Sequence, residues 1–254
     1  MSLTEETYDP IYNPFSVRYV QPGAIPFHFD PLLLERFRSE HPDLFARYLY
    51  EAISLRQEAS MWVGCRMLAD RLERSHFRGQ IVGPHGSGKS TLMYWLRSAV
   101  DTLGCQVFSW ELHDQQSSLN GDFWDEIDLF LRSREEESDQ KTARVLFLDG
   151  FEQLSFIQRV CLRKFCRDQR IGMVITTHLP ALGLPILFKT APSLETVRHL
   201  VHYLVDDGSF TVGEDDVKAL FAQNRGNCRS ILFDLYDRFE DTSISELRHG
   251  KHFV

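Results

Sequence analysis

Cysteine is scarce in this 254-residue chain: Cys65, Cys105, Cys161, Cys166 and Cys228 are the full set, with no CxxC pair and no histidine nearby at metal-ligand spacing. Neither a zinc site nor a disulfide framework is expected, and the thiols read as reduced core groups of a cytoplasmic protein. No stretch approaches the roughly 18 consecutive apolar residues of a membrane span. The first ten residues hold Glu5, Glu6 and Asp9 and no apolar run, so no export signal is expected either. Basic charge is short as well. Lys and Arg total 28 against 36 Asp and Glu, a net charge of -8, which argues against attraction of the whole surface to phosphate backbones or anionic membranes. Internal repeats and low-complexity tracts are absent. A chain with 43% hydrophobic and 25% charged residues is ordinary for a globular protein, and at this length it builds a core without covalent staples.

The apolar pattern divides the chain. Pro10, Pro14, Pro22, Pro26 and Pro31 stand among aromatic residues over positions 8–31, which reads as an extended arm. Over 32–74, Leu33, Phe37, Leu44, Tyr48, Ile53, Val63, Met67 and Leu68 recur at helical spacing, and Pro42 breaks the run into at least two helices. Short apolar strands follow at 77–82, 106–110, 144–148, 172–176 and 185–189. Helical patterns alternate with them at 91–103, 123–134 and 152–167, and the polar stretch 133–141 reads as a surface loop. Alternating strands and helices predict an α/β fold, a parallel sheet between two helical layers. Beyond Pro192 only helices are expected, at 194–205, 213–224 and 227–240. The expected division is 1–78 for the arm and its helices packed on the core, 79–190 for the α/β core, and 191–254 for a small helical subdomain.

The strongest chemical signal is Gly83-Pro84-His85-Gly86-Ser87-Gly88-Lys89-Ser90-Thr91, which fits the GxxxxGK[ST] spacing between an apolar strand and an amphipathic helix. Glycines let the backbone curl until successive N–H groups face a phosphate, the helix N-terminus adds its dipole, Lys89 reaches the terminal phosphates, and the Ser90 hydroxyl ligates magnesium. Further on, Arg144-Val145-Leu146-Phe147-Leu148-Asp149 is an apolar strand ending in a carboxylate, placed to hold magnesium through water. Hydrolysis also needs a group that orients or deprotonates water. The first carboxylate after Asp149 is Glu152, which either turns toward the terminal phosphate or favours the N-terminus of the next helix.

With Val174-Ile175-Thr176-Thr177-His178 as a further strand ending in polar residues, these motifs over about 79–240 resemble the AAA+ ATPases and related P-loop NTPases. The resemblance implies ATP and magnesium as ligands and a helical lid after the sheet. It also implies a polar sensor on a strand lying between the phosphate-loop strand and the acidic strand; Thr177 matches that sensor, with His178 as the neighbour that could serve instead. Gly226-Asn227-Cys228-Arg229 looks like the second sensor, in which Arg229 reaches the phosphates, the alternative being an ordinary surface arginine. The arm Tyr12-Asn13-Pro14-Phe15-Ser16 is similar to a segment that lies near the adenine in some small bacterial members. Two features depart from the family: Asp149-Gly150-Phe151-Glu152 replaces an adjacent Asp-Glu pair, and the short stretch 178–184 stands where the family has a helix ending in an arginine finger.

One basic feature is local. Arg159, Arg163 and Arg167 recur every four residues with Lys164 beside them and Arg170 beyond, while Leu154, Ile157, Val160, Cys161 and Phe165 are expected to form the buried side of that helix. The basic face is either solvated or a docking surface for an acidic partner, a nucleic acid or a neighbouring subunit's nucleotide. G-x-S-x-G and H-E-x-x-H are absent, and His85 and His113 read as loop residues. Three activities remain: a magnesium-dependent ATPase, a nucleotide switch or adaptor with slow turnover, and a small-molecule P-loop kinase.

Overall fold

The computed structural model describes residues 13–15, 21–113, 115–132, 142–205 and 212–248. The stretch 133–141, expected as a surface loop, lies outside them, as do Tyr12 and Ser16 of the arm. The chain divides into two compact units, Pro22–Ala191 and the combination of Met1–Gln21 with Pro192–Val254. Among the described residues no helix is long and apolar enough to cross a membrane.

The first unit is α/β. Helices α1 (Pro31–Glu40), α2 (Pro42–Leu55) and α3 (Ala59–Arg74) precede β1 (Arg78–Val82), α4 (Lys89–Asp101), β2 (Gln106–Glu111), α5 (Gly121–Arg132), β3 (Arg144–Asp149), α6 (Phe156–Asp168), β4 (Gly172–Thr177) and β5 (Ile186–Lys189). The five strands form one parallel sheet in the order β2-β3-β4-β1-β5. Strand pleating sorts the side chains: Val145, Phe147 and Val174 join α3 and α4 in one core, whereas Leu146, Leu148, Met173 and Ile175 join α5 and α6 in the other. The sheet is covered on both faces, so β3 and β4 read as continuous apolar runs rather than alternating ones. Helices α1 to α3 belong to this unit, and α3 brings a buried arginine with it. The Arg66 guanidinium lies 2.9 Å from Glu51 Oε2 and over the Tyr48 ring. The proline-rich segment 22–30 also packs here, with Trp95 Nε1 donating to the Ile25 carbonyl and Phe27, Phe29 and Phe188 meeting edge to face.

In place of a helix between β4 and β5, a short connection is held by Gln80 of β1, which is buried. Its amide donates to the carbonyls of Ala181 (3.0 Å) and Leu184 (2.6 Å) and accepts from Ala181 N–H (2.7 Å). A polar side chain within a buried strand thus supplies the partners that an irregular segment needs when it lies against a sheet.

The second unit contains α7 (Leu194–Leu204), α8 (Glu214–Gln223) and α9 (Cys228–Arg248), capped by Ser193 on Thr196 N–H and by Asn227 on Ser230 N–H. Asn13 of the arm joins it, its amide donating to the Tyr236 carbonyl and to Glu240 Oε1.

Two readings of α6 are corrected. The helix begins beyond Glu152, after a 3-10 turn at Phe151–Gln153, and is capped by Ser155; Glu152 is therefore not an N-terminal charge of α6. Its buried side is Leu162 and Cys166, while Ile157, Val160 and Cys161 are exposed. Cys161 is accordingly no core thiol, and burial pushes the Cys105, Cys228 and Cys166 thiols up to about 11, 11 and 12.

Two outcomes follow. Gln80→Leu removes all three clamp bonds and orphans backbone groups of Ala181 and Leu184, so urea unfolding should register a loss of about 2–4 kcal/mol; a change below about 0.5 kcal/mol would contradict the clamp. Brief iodoacetamide treatment of the native protein near neutral pH, read by mass spectrometry, should label Cys161 first, because raised thiol pKa values keep the buried cysteines protonated and unreactive.

Candidate functional site

The loop 83–88 joins a buried strand to α4, and its path is set by close contact with the end of β5. A Cβ on Gly83 would stand 2.0 Å from Thr190 Oγ1 and 2.5 Å from the Thr190 carbonyl oxygen, so only glycine fits. Thr190 N–H donates to the Val82 carbonyl at 2.8 Å, and its hydroxyl lies 2.6 Å from Ser87 Oγ, which also donates to the Pro84 carbonyl. Gly88 meets a double requirement, with φ +83° and the Phe27 ring 3.2 Å from where a Cβ would be. Among the described residues no side chain caps the first turn of α4.

Lys89 opens α4 and is 8% exposed. Its ammonium donates to the carbonyls of Gly83 (2.9 Å) and Pro84 (2.8 Å) and stands 3.3 Å from His178 Nδ1. The far side of the same imidazole, Nε2, is 2.7 Å from Glu152 Oε1. Nδ1 also lies 3.1 Å from the Gly83 carbonyl oxygen, to which it donates only when protonated; with the proton on Nε2 alone, His178 accepts from Lys89 and donates to Glu152. Lysine, histidine and glutamate then form one hydrogen-bonded chain. The His85 ring covers His178 at 3.7 Å between centroids. Glu152 Oε2 is buried and has no partner among the described residues, an acceptor for a donor such as water. Its backbone is held too: Arg159 donates to the carbonyls of Glu152 and Leu154, each at 2.7 Å.

Asp149 ends β3 beside this chain of groups. The Thr176 hydroxyl donates to Asp149 Oδ1 and accepts from Gly150 N–H at 2.9 Å, so one oxygen of the carboxylate is oriented by a buried threonine on the neighbouring strand.

No protein-family model matches this chain, and a search of curated proteins found none similar to it.

The structure brings Lys89, His85, Asp149 and Glu152 to the carboxyl ends of three adjacent strands, with Ser90 and Thr91 half-buried on the first turn of α4. Thr177 does not join them: it is buried and its hydroxyl donates to the Leu179 carbonyl at 2.9 Å. His178 is the polar tip of β4, and Thr176 holds Asp149. Arg229 lies in the second unit, exposed, in the first turn of α9. The basic face of α6, read as either solvated or a docking surface, is solvated only in part. Arg159 and Arg163 lie over the Phe151 ring, 5.6 and 5.5 Å from its centroid, and burial together with Arg78 and Arg159 lowers the Arg163 pKa; Lys164, Arg167 and Arg170 are exposed. Thr176, Thr190 and Phe27 escaped the sequence reading. A threonine within a strand is unremarkable as sequence, and only strand pairing shows what it faces.

Gly83→Ala should cost roughly 2 kcal/mol or more in urea unfolding, because the clash is with backbone as well as with a side chain. Thr190→Ala should not rescue it. A variant within about 0.5 kcal/mol of wild type would mean that the loop is not pressed on β5.

Proposed function

We propose that the loop 83–91 binds ATP and that the chain hydrolyses it with magnesium, as a small and atypical relative of the AAA+ ATPases with α7 to α9 as its lid. The observation that carries the reading is the chain Lys89–His178–Glu152, in which a buried cation at a glycine loop is joined by one imidazole to a carboxylate with a spare buried oxygen. The sheet order supports it: β4, the strand ending in the polar His178, lies between β1 and β3, as the resemblance implies for the sensor strand. Ligand sites of open parallel sheets lie at the carboxyl edge where chain direction reverses, and the connections from β1 and β4 leave on opposite sides.

The loop suits a polyphosphate. The uncapped N-terminus of α4 offers N–H donors and a dipole to an anion, and Lys89, now resting on two carbonyls, exchanges them for phosphate oxygens. Glu152 Oε2 accepts a proton from the attacking water as its oxygen bonds to the terminal phosphorus and the bond to the ADP oxygen breaks. His178 fixes the carboxylate by its other oxygen and reports to it through Lys89 whether a phosphate is present. Asp149 and Ser90 are the residues that would hold magnesium, which neutralises phosphate charge when bound. Among the described residues no three His, Cys, Asp or Glu side chains converge on a metal position, so most ligands of the ion would be phosphate and water oxygens. The resemblance gives Arg229 the second-sensor role.

A second reading, a nucleotide switch with slow turnover, draws on the commitment of Arg159 to the Glu152 and Leu154 carbonyls and of Arg163 to Phe151, which makes them poor donors to a neighbouring site.

Phosphate release from magnesium-ATP distinguishes the two. Glu152→Gln should lower the rate by about 100-fold or more while nucleotide binding is retained, and His178→Phe should lower it by about 10- to 100-fold by freeing the carboxylate. Wild-type turnover equal to that of Lys89→Ala, with ATP still bound by wild type, would favour the switch. Failure of wild type to bind ATP would overturn both.

A further inference from the structure

Helices α5 and α6 lie side by side on one face of the sheet, where Trp124 and Phe165 meet edge to face at 5.1 Å. Their outward sides are opposite in charge. Helix α5 carries four carboxylates and one arginine, whereas the exposed cations of α6 are Lys164 and Arg167, since Arg159 and Arg163 lie over the Phe151 ring. Asp128 pairs with Arg132 and Asp122 accepts from Asn120, while Asp125 and Glu126 are exposed and form no ion pair among the described residues. On α6, Lys164 and Arg167 are likewise exposed and form none among the described residues.

Each stripe also exposes large apolar side chains. On α6, Phe156 is 78% and Ile157 71% exposed, with Val160 one turn on; on α5, Leu129 is 66% exposed. At 100° per residue, Ile157, Val160 and Lys164 share one side of α6, and Asp122, Asp125 and Leu129 share one side of α5. Both sides point away from the sheet, opposite Leu162 and Cys166 on one helix and Phe123 and Ile127 on the other. Apolar groups rimmed by unpaired charge mark an association surface.

We infer that the α5–α6 face is the interface of a two-fold dimer, in which α5 of one copy lies on α6 of the other and the reverse contact repeats across the axis. A second copy of this chain is the occupant because it brings an acidic helix with an exposed leucine to a basic helix with exposed Phe156 and Ile157, twice, at the spacing that the first copy already has. Closed self-complementary contacts of this kind are the commonest route to homodimers. Helices of 12 and 13 residues are about 18–20 Å long and present a small face, so association is reversible, with a dissociation constant on the order of 10 μM. The contact involves no nucleotide, so it stands or falls independently of the function proposed for loop 83–91. It would nevertheless cover the first turns of α6, where Arg159 grips the Glu152 carbonyl.

Sedimentation velocity on the full chain, from about 1 to about 300 μM without nucleotide, tests this. Wild type should pass from monomer to dimer, more weakly at high salt. The pairs Asp125→Lys with Glu126→Lys, and Lys164→Glu with Arg167→Glu, should each raise the dissociation constant by tenfold or more, because like charges then face each other in both contacts. Mixing the two variants should restore a dimer, since one now presents two basic stripes and the other two acidic ones. Ile157→Asp should weaken association with no charge swap available to rescue it, and Cys161 should become slower to alkylate as the dimer fills. A wild type that stays monomeric over the whole range, or a dimer indifferent to both reversals, overturns the proposal.

Discussion

The backbone ladder through the middle of the sheet governs everything at its carboxyl edge. β1 pairs with β4 so that Val82 stands opposite Thr177, and β4 pairs with β3 so that Ile175 stands opposite Leu148. Three strands therefore end within one residue of each other, Gly83 level with His178 and Gly150 level with Thr177. A slip of one residue would invert every side chain of β4. Thr176 would lose Asp149, and the apolar residues of the strand would exchange one core for the other. The polar chemistry of the edge and the packing of both cores thus depend on one register.

From that register comes a division of labour among consecutive residues of β4. Thr176 orients Asp149, Thr177 closes the turn onto Leu179, and His178 joins Lys89 to Glu152. The loop is braced from the other side by Thr190 after β5, so both neighbours of β1 shape it. Buried polar groups at this density are costly unless each finds a partner; the partnerless oxygen of Glu152 is where the arrangement has room for a further donor.

Much of this was legible in the residues. Each strand of the sheet lies within a residue or so of the apolar run that announced it, most plainly β3, which is buried on both faces and spells itself out as Val, Leu and Phe. Gly83, Lys89 and Asp149 were picked out by their spacing, and the fold brings them together at the carboxyl edge of the sheet. The limits are equally physical. Periodicity assigned Ile157, Val160 and Cys161 to a buried stripe because they are apolar, but an exposed apolar side looks the same in sequence as one that packs. Arg159 and Arg163 read as solvated because stacking on Phe151 is a tertiary contact. Thr177 was preferred to His178 by position alone, and which of two adjacent side chains turns to the loop is decided by the end of strand pairing.

Whether Lys89 and the loop 83–91 hold phosphate is decided by magnesium-ATP itself. Calorimetric titration of the protein with magnesium-ATP tests it most directly, with Lys89→Ala as its counterpart. Wild type should bind one ATP per chain, and the variant at least tenfold more weakly, as expected when a charged hydrogen-bond donor to phosphate is removed. Equal heats of binding for the two proteins, or none for wild type, would contradict a phosphate site there.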